Sequence, residues 1–79
     1  SGPATTIVPI GGNFWVGTEN GIDILGRDAF GQCVELGSIQ LAGPIVQLIP
    51  LFDGSAAFVS GAGMVGIVER TQAVAALEQ

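Results

Sequence analysis

Histidine and tyrosine are missing from this 79-residue chain, and cysteine and tryptophan occur once each, at Cys33 and Trp15. Without an imidazole there is no Ser–His or Cys–His pair to make a nucleophile. Cys33 therefore reads as a buried, inert strand cysteine. A single cysteine closes no internal disulfide, and with scattered carboxylates it makes no zinc set. Charge is also scarce, at 11% of residues against about 25% in an average globular chain. Two arginines face seven acidic residues, for a net charge of −5, which leaves no basic face for nucleic acid. Long apolar runs are short of what a membrane needs. The uncharged run from Leu36 to Phe52 is seventeen residues and contains Pro44 and Pro50, whereas a spanning helix takes about 20 mostly apolar residues. These absences exclude the usual catalytic, metal and nucleic-acid classes and point to a chain with no cofactor.

Apolar residues make up 48% of the chain and mean hydropathy is +0.60. A domain of this size buries only about 60% of its unfolded surface. Small domains usually add disulfides, metals or oligomerisation. With the first two gone, surface supplied by a partner is the expected source of stability.

The apolar residues are arranged as strands. Residues 1–5 are small and polar and are expected to be a disordered N-terminus. Thr6 to Ile10 is a β-branched run with Pro9 near its end. Gly11-Gly12-Asn13 is a turn. Phe14 to Thr18, then Ile22 to Leu25, read as a hairpin around Asn20-Gly21, the dipeptide suited to a type I′ turn with φ > 0 at both central residues. Gln32 to Leu36 is a fourth strand. Residues 37–44, with Gly, Ser and Pro, read as a linker, though Ser38 to Leu41 can extend the fourth strand. The pattern then restarts with strands over Ile45 to Phe52, Ser55 to Ser60 and Met64 to Glu69, turning at Asp53-Gly54 and Gly61-Ala62-Gly63. The tail 71–79 fits either a last strand or a short helix capped by Thr71. The expected fold class is all-β: two four-stranded antiparallel meanders, over residues 6–36 and 45–79.

The two meanders resemble each other. Val8-Pro9-Ile10 matches Ile49-Pro50-Leu51, Trp15-Val16 matches Phe58-Val59, and Ile22-x-Ile24-Leu25 matches Val65-x-Ile67-Val68. The last two matches share an offset of 43 residues, the size of a WD40-like propeller blade. Trp15-Val16-Gly17-Thr18-Glu19-Asn20-Gly21-Ile22 closely resembles the blade signature of the two-component-regulator type β-propellers, in which a Trp-Val-Gly-Thr strand runs into a Glu-Asn-Gly turn. The second copy departs from it, with Phe58 for the tryptophan and Ser60-Gly61 for Gly-Thr.

The resemblance implies two blades of a larger β-propeller. Propellers have roughly 4–8 blades, so two alone leave apolar faces bare. The missing neighbours come from a homo-oligomeric ring, from another chain, or from the rest of a longer propeller. The expected function is a non-catalytic scaffold or interaction module with a protein ligand. An oligomeric lectin-like ring, or a structural subunit of a multi-chain complex, is the alternative. By analogy of fold, ligands are expected near the turns carrying Glu19, Asn20, Ala62 and Gly63. Trp15 and Phe58 are expected to pack between blades. Asp23, Asp28, Asp53 and Glu19 lack a calcium-loop pattern and read as turn carboxylates. Gly61 to Gly66 has the spacing of a phosphate loop, but that motif needs a helix after it, and β-branched residues follow. Arg27 and Arg70 occupy matching positions after the return strands and can mark one rim.

Overall fold

The computed structural model describes residues 4–78. Seven strands and one helix follow in order. β1 (Thr6–Ile10), β2 (Asn13–Gly17), β3 (Gly21–Arg27) and β4 (Cys33–Gln40) form an antiparallel sheet in that order. β5 (Ile45–Pro50), β6 (Ala56–Ser60) and β7 (Val65–Val68) form a second one. The chain ends in α1 (Arg70–Leu77).

The second unit thus has three strands and not the expected four. Its tail is the helix of the two options held open above. The helix buries Ala73 and Ala76, which lie three apart and share one helical face. Ala76 sits against Gly37 of β4 so closely that a Cβ there would come within 2.5 Å of the Ala76 carbonyl oxygen. Its N-cap is Glu69, not Thr71, and the Glu69 N–H donates to Gln72 Oε1 at 3.0 Å. The linker is also shorter than expected, because β4 continues to Gln40. Of residues 1–5, Ala4 and Thr5 are described. Thr5 is tied down rather than loose: its N–H donates to Gly17 O at 2.8 Å, and its hydroxyl reaches the Gly17 and Ile45 carbonyls. Residues 1–3 and 79 lie outside the described residues.

Register decides which side chains are buried. Trp15 pairs with Val8 and Ile24, and Ile22 with Gly17 and Ile39. Side chains alternate across a strand, so these residues share the inner face of the first sheet. On the second sheet the inner face carries Leu48, Phe58 and Gly66 in one row and Pro50, Ala56 and Val68 in the next. Ile10, Trp15, Ile22, Ile24, Ile45, Leu48, Ala56, Val68, Ala73 and Ala76 form one core. β5 covers β1 and β2, while α1 covers β4. Fully burying a side chain such as Ile24 or Ile45 contributes about 1.5–3 kcal/mol.

The hairpin around Asn20 differs from the type I′ turn expected of it. No non-glycine residue among those described has positive φ. Thr18 replaces that geometry: its N–H donates to Gly21 O at 2.8 Å, and its Oγ1 accepts the Asn20 N–H at 3.2 Å. Gly11-Gly12, with φ of 59° and 84°, is the dipeptide with both residues in the left-handed region. Gly21 takes φ 144°, and a Cβ on it would overlap the Ile39 carbonyl oxygen. Around Gly12 (φ 84°) there is nothing within 4 Å, so Gly12→Ala should cost only the left-handed penalty of about 1–2 kcal/mol. Gly21→Ala adds displacement of the β4 backbone and should cost about 3 kcal/mol or more. Urea midpoints of the two variants measure the difference, and equal losses would contradict this role for Gly21.

Candidate functional site

Two kinds of surface carry the residues singled out by the sequence. The first is the end of the molecule where β2 turns into β3 and β6 into β7. The connection from β4 to β5 stitches both turns together through the backbone. Leu41 N–H donates to Asn20 O at 3.0 Å, Ile45 N–H to Thr18 O at 2.9 Å, and Gly61 N–H to Pro44 O at 2.8 Å. Glu19, Asn20, Ala62 and Gly63 are thereby held at one end, all of them exposed. Small polar groups line a cavity of about 240 Å³ beside Thr18, Asn20 and Gln40; it does not extend to Ala62 or Gly63. Gly61 to Gly63 is a three-residue hairpin turn closed by Ser60 N–H to Met64 O at 2.9 Å. Strand β7 follows it, so no helix is placed to receive a phosphate.

Strand alternation puts the other turns at the opposite end, along with the ends of β3 and β7. Arg27 and Arg70 are both there, as are Phe30 and Phe52, two exposed aromatic rings. A cleft of about 340 Å³ opens nearby between α1 and the first hairpin. Trp15 and Ile10 line it, with Ala73 and Leu77 from the helix and Asp53 and Arg70 at its polar margin. Nothing in the residue pattern points to this cleft, because one wall is a helix that composition leaves undecided.

Asp53 does local structural work. Its Oδ1 accepts the Ser55 N–H at 3.1 Å and the Ser55 hydroxyl. Those bonds hold its carboxyl below the ordinary aspartate range, with a smaller contribution from Arg70. Asp28 closes its own loop by accepting the Phe30 and Gln32 N–H groups at 2.9 and 3.0 Å. Among the described residues no three cysteine or carboxylate side chains gather closely enough to hold an ion. Cys33 opens β4 and is exposed, contrary to the buried position expected of it. Its register, opposite Arg27 and two residues from Glu35, puts it on the outer face of the sheet.

The second surface is the outer face of each sheet. On β5–β7 it carries Ile49, Ala57 and Ile67 in one row and Gln47, Val59 and Val65 in the next. Ile49, Val65 and Ile67 are 46%, 74% and 59% exposed, and no charge lies among them. On β1–β4 the outer face carries Ile7, Val16, Asp23 and Ser38 in one row, of which Val16 and Asp23 are buried, and Pro9, Phe14, Leu25 and Glu35 in the next, with Arg27 and Cys33 beyond. Trp15 is buried in the layer between the sheets, and the Phe58 ring lies half-buried over Gly66. Val65 and Ile67 on the bare face match the buried Ile22 and Ile24. The turn before β7 is one residue longer than the turn before β3, and a one-residue slip moves a strand's side chains to the other face.

No helix among the described residues is long and apolar enough to cross a membrane. Comparison of the chain with protein-family models, curated proteins and solved structures found no match.

The Asp53 turn gives a pH dependence of definite sign. A carboxyl held below its unfolded value stabilises the fold above that value, about 3.9 for aspartate, and the contribution is lost as pH falls through the lower folded value. The melting-temperature gap between the native chain and Asp53→Ala should be constant near neutrality and narrow below about pH 4. A gap that widens on acidification would contradict the turn's role.

Proposed function

We propose that this chain is a non-catalytic assembly unit of the β-propeller kind, contributing two blade-like sheets to a larger scaffold that binds protein ligands. The observation that carries this reading is the pair of apolar outer faces. Ile49, Val65 and Ile67 on one outer face and Ile7 and Phe14 on the other are exposed, so both sides of the two-layer stack present apolar side chains that a neighbour can cover. The strand order, the shared inner layer and the Trp-Val-Gly-Thr-Glu-Asn-Gly text support the blade reading. The three-stranded second sheet fits it less fully, since a propeller blade has four strands. Catalysis finds no support: with no histidine in the chain, exposed Cys33 has no imidazole to activate it.

The lectin-like alternative has one observation in its favour, the exposed rings of Phe30 and Phe52. Aromatic rings of this kind can stack on a ligand. They sit at the end opposite Glu19 and Asn20, so that reading moves the ligand to the other rim.

Lysine on the bare face tests the assembly reading. The double variant Ile49→Lys, Ile67→Lys should retain its β-sheet circular dichroism and buried Trp15 fluorescence. Its solution mass should fall to the 8.0 kDa of one chain. A folded double variant that still assembles as the native chain does would overturn the role given to this face.

A further inference from the structure

We propose that copies of this chain stack head to tail, the outer face of β5–β7 in one copy against the outer face of β1–β4 in the next. This rests on the assembly reading above and specifies its partner and polarity.

The internal repeat supplies the reason. Ile7, Val8 and Pro9 of β1 match Leu48, Ile49 and Pro50 of β5, and Asp23, Ile24 and Leu25 of β3 match Gly66, Ile67 and Val68 of β7. In the first sheet Val8 and Ile24 face inward, while Ile7, Pro9, Asp23 and Leu25 face outward. In the second sheet the roles reverse: Leu48, Pro50, Gly66 and Val68 face inward, while Ile49 and Ile67 face outward. The seam inside the chain therefore joins a face of the Val8/Ile24 kind to a face of the Leu48/Val68 kind. The bare face of β5–β7 is again of the first kind, and the bare face of β1–β4 is again of the second. Each copy carries one of each, so the seam already built within the chain can be repeated between chains. Strand β6 is the exception, because Phe58 faces inward as its counterpart Trp15 does.

Charge favours the same polarity. The outer face of β1–β4 holds Asp23 and Glu35 against the single cation Arg27 at its end, so stacking it on its own copy would bring together more acidic than basic groups. The outer face of β5–β7 carries none, so head-to-tail contact avoids that repulsion.

Area favours closure. Three or four strands spaced about 4.8 Å, each about five residues long, present roughly 300 Å² in projection. A stable interface takes about 800 Å² from each partner. A single such contact is too small to hold a dimer. A closed ring engages both outer faces of every copy, and a heterologous contact that closes gives a finite ring. At two sheets per copy, propellers of roughly 4–8 sheets correspond to two to four copies.

In a Cys33→Ser background, Ile7→Cys and Ile49→Cys are purified separately and tested alone and mixed with a short bis-maleimide. β1 and β5 are chosen because they lie against each other in the existing seam. The expected result is covalent dimer in the mixture and little in either variant alone. Phe14→Cys with Ile67→Cys serves as a second pair, and light scattering checks that each variant keeps the parent's mass. Linkage of Ile49→Cys to itself as efficiently as to Ile7→Cys would overturn the polarity and leave the assembly reading standing. Absence of linkage in every sample, with the parent monomeric, would overturn both.

Discussion

Each sheet of this protein has an apolar inner face and exposed apolar side chains on its outer face as well, and the two inner faces cover only each other. That constraint governs most of what the structure does. The inner faces meet in one core, where Ile22, Ile24, Ile45 and Val68 are almost fully removed from water. Trp15 fills the space between the layers and Ala73 and Ala76 close the open side over β4. The outer faces are left to water or to a neighbour, and their composition suits a neighbour.

The inner contact is positioned by the backbone as much as by side chains. Three hydrogen bonds from the short connection between β4 and β5 fix both hairpin turns at one end, and Thr5 ties the start of β1 to Gly17 and Ile45. Glycines set the closest approaches. A Cβ at Gly17 would stand 2.7 Å from Thr6 Cγ2 and 3.1 Å from Ile45 Cγ2. The same economy appears at Gly37, where the absence of a side chain lets the helix backbone rest on the sheet.

Much of this was legible in the residues. Short apolar stretches separated by Gly, Pro, Asn and Asp mark the seven strands, and their antiparallel order follows from the short turns between them. What escaped was set by details that composition does not carry. The Asn20 turn follows the Thr18 hydroxyl, not the Asn-Gly propensity. The outward exposure of Val65 and Ile67 depends on a turn one residue longer than its counterpart. The β4 bulge, where Leu36 is the extra residue between Gly37 and Glu35, is likewise invisible in periodicity. The tail was undecided because alanine suits both a helix and a packed strand edge; the groove over Gly37 selects the helix. The turns carrying Glu19, Asn20, Ala62 and Gly63 lie at one end of the molecule, tied there by the backbone of the β4–β5 connection. The cleft beside Trp15 could not be seen without the helix.

Surface that needs covering, rather than a reactive group, is thus the central claim. Its most direct test is the solution mass of the unmodified chain, measured by light scattering while the protein is diluted. A mass that is a small integer multiple of 8.0 kDa, persisting with a folded far-ultraviolet spectrum, is the predicted result. A folded, stable monomer of 8.0 kDa at every concentration would contradict it.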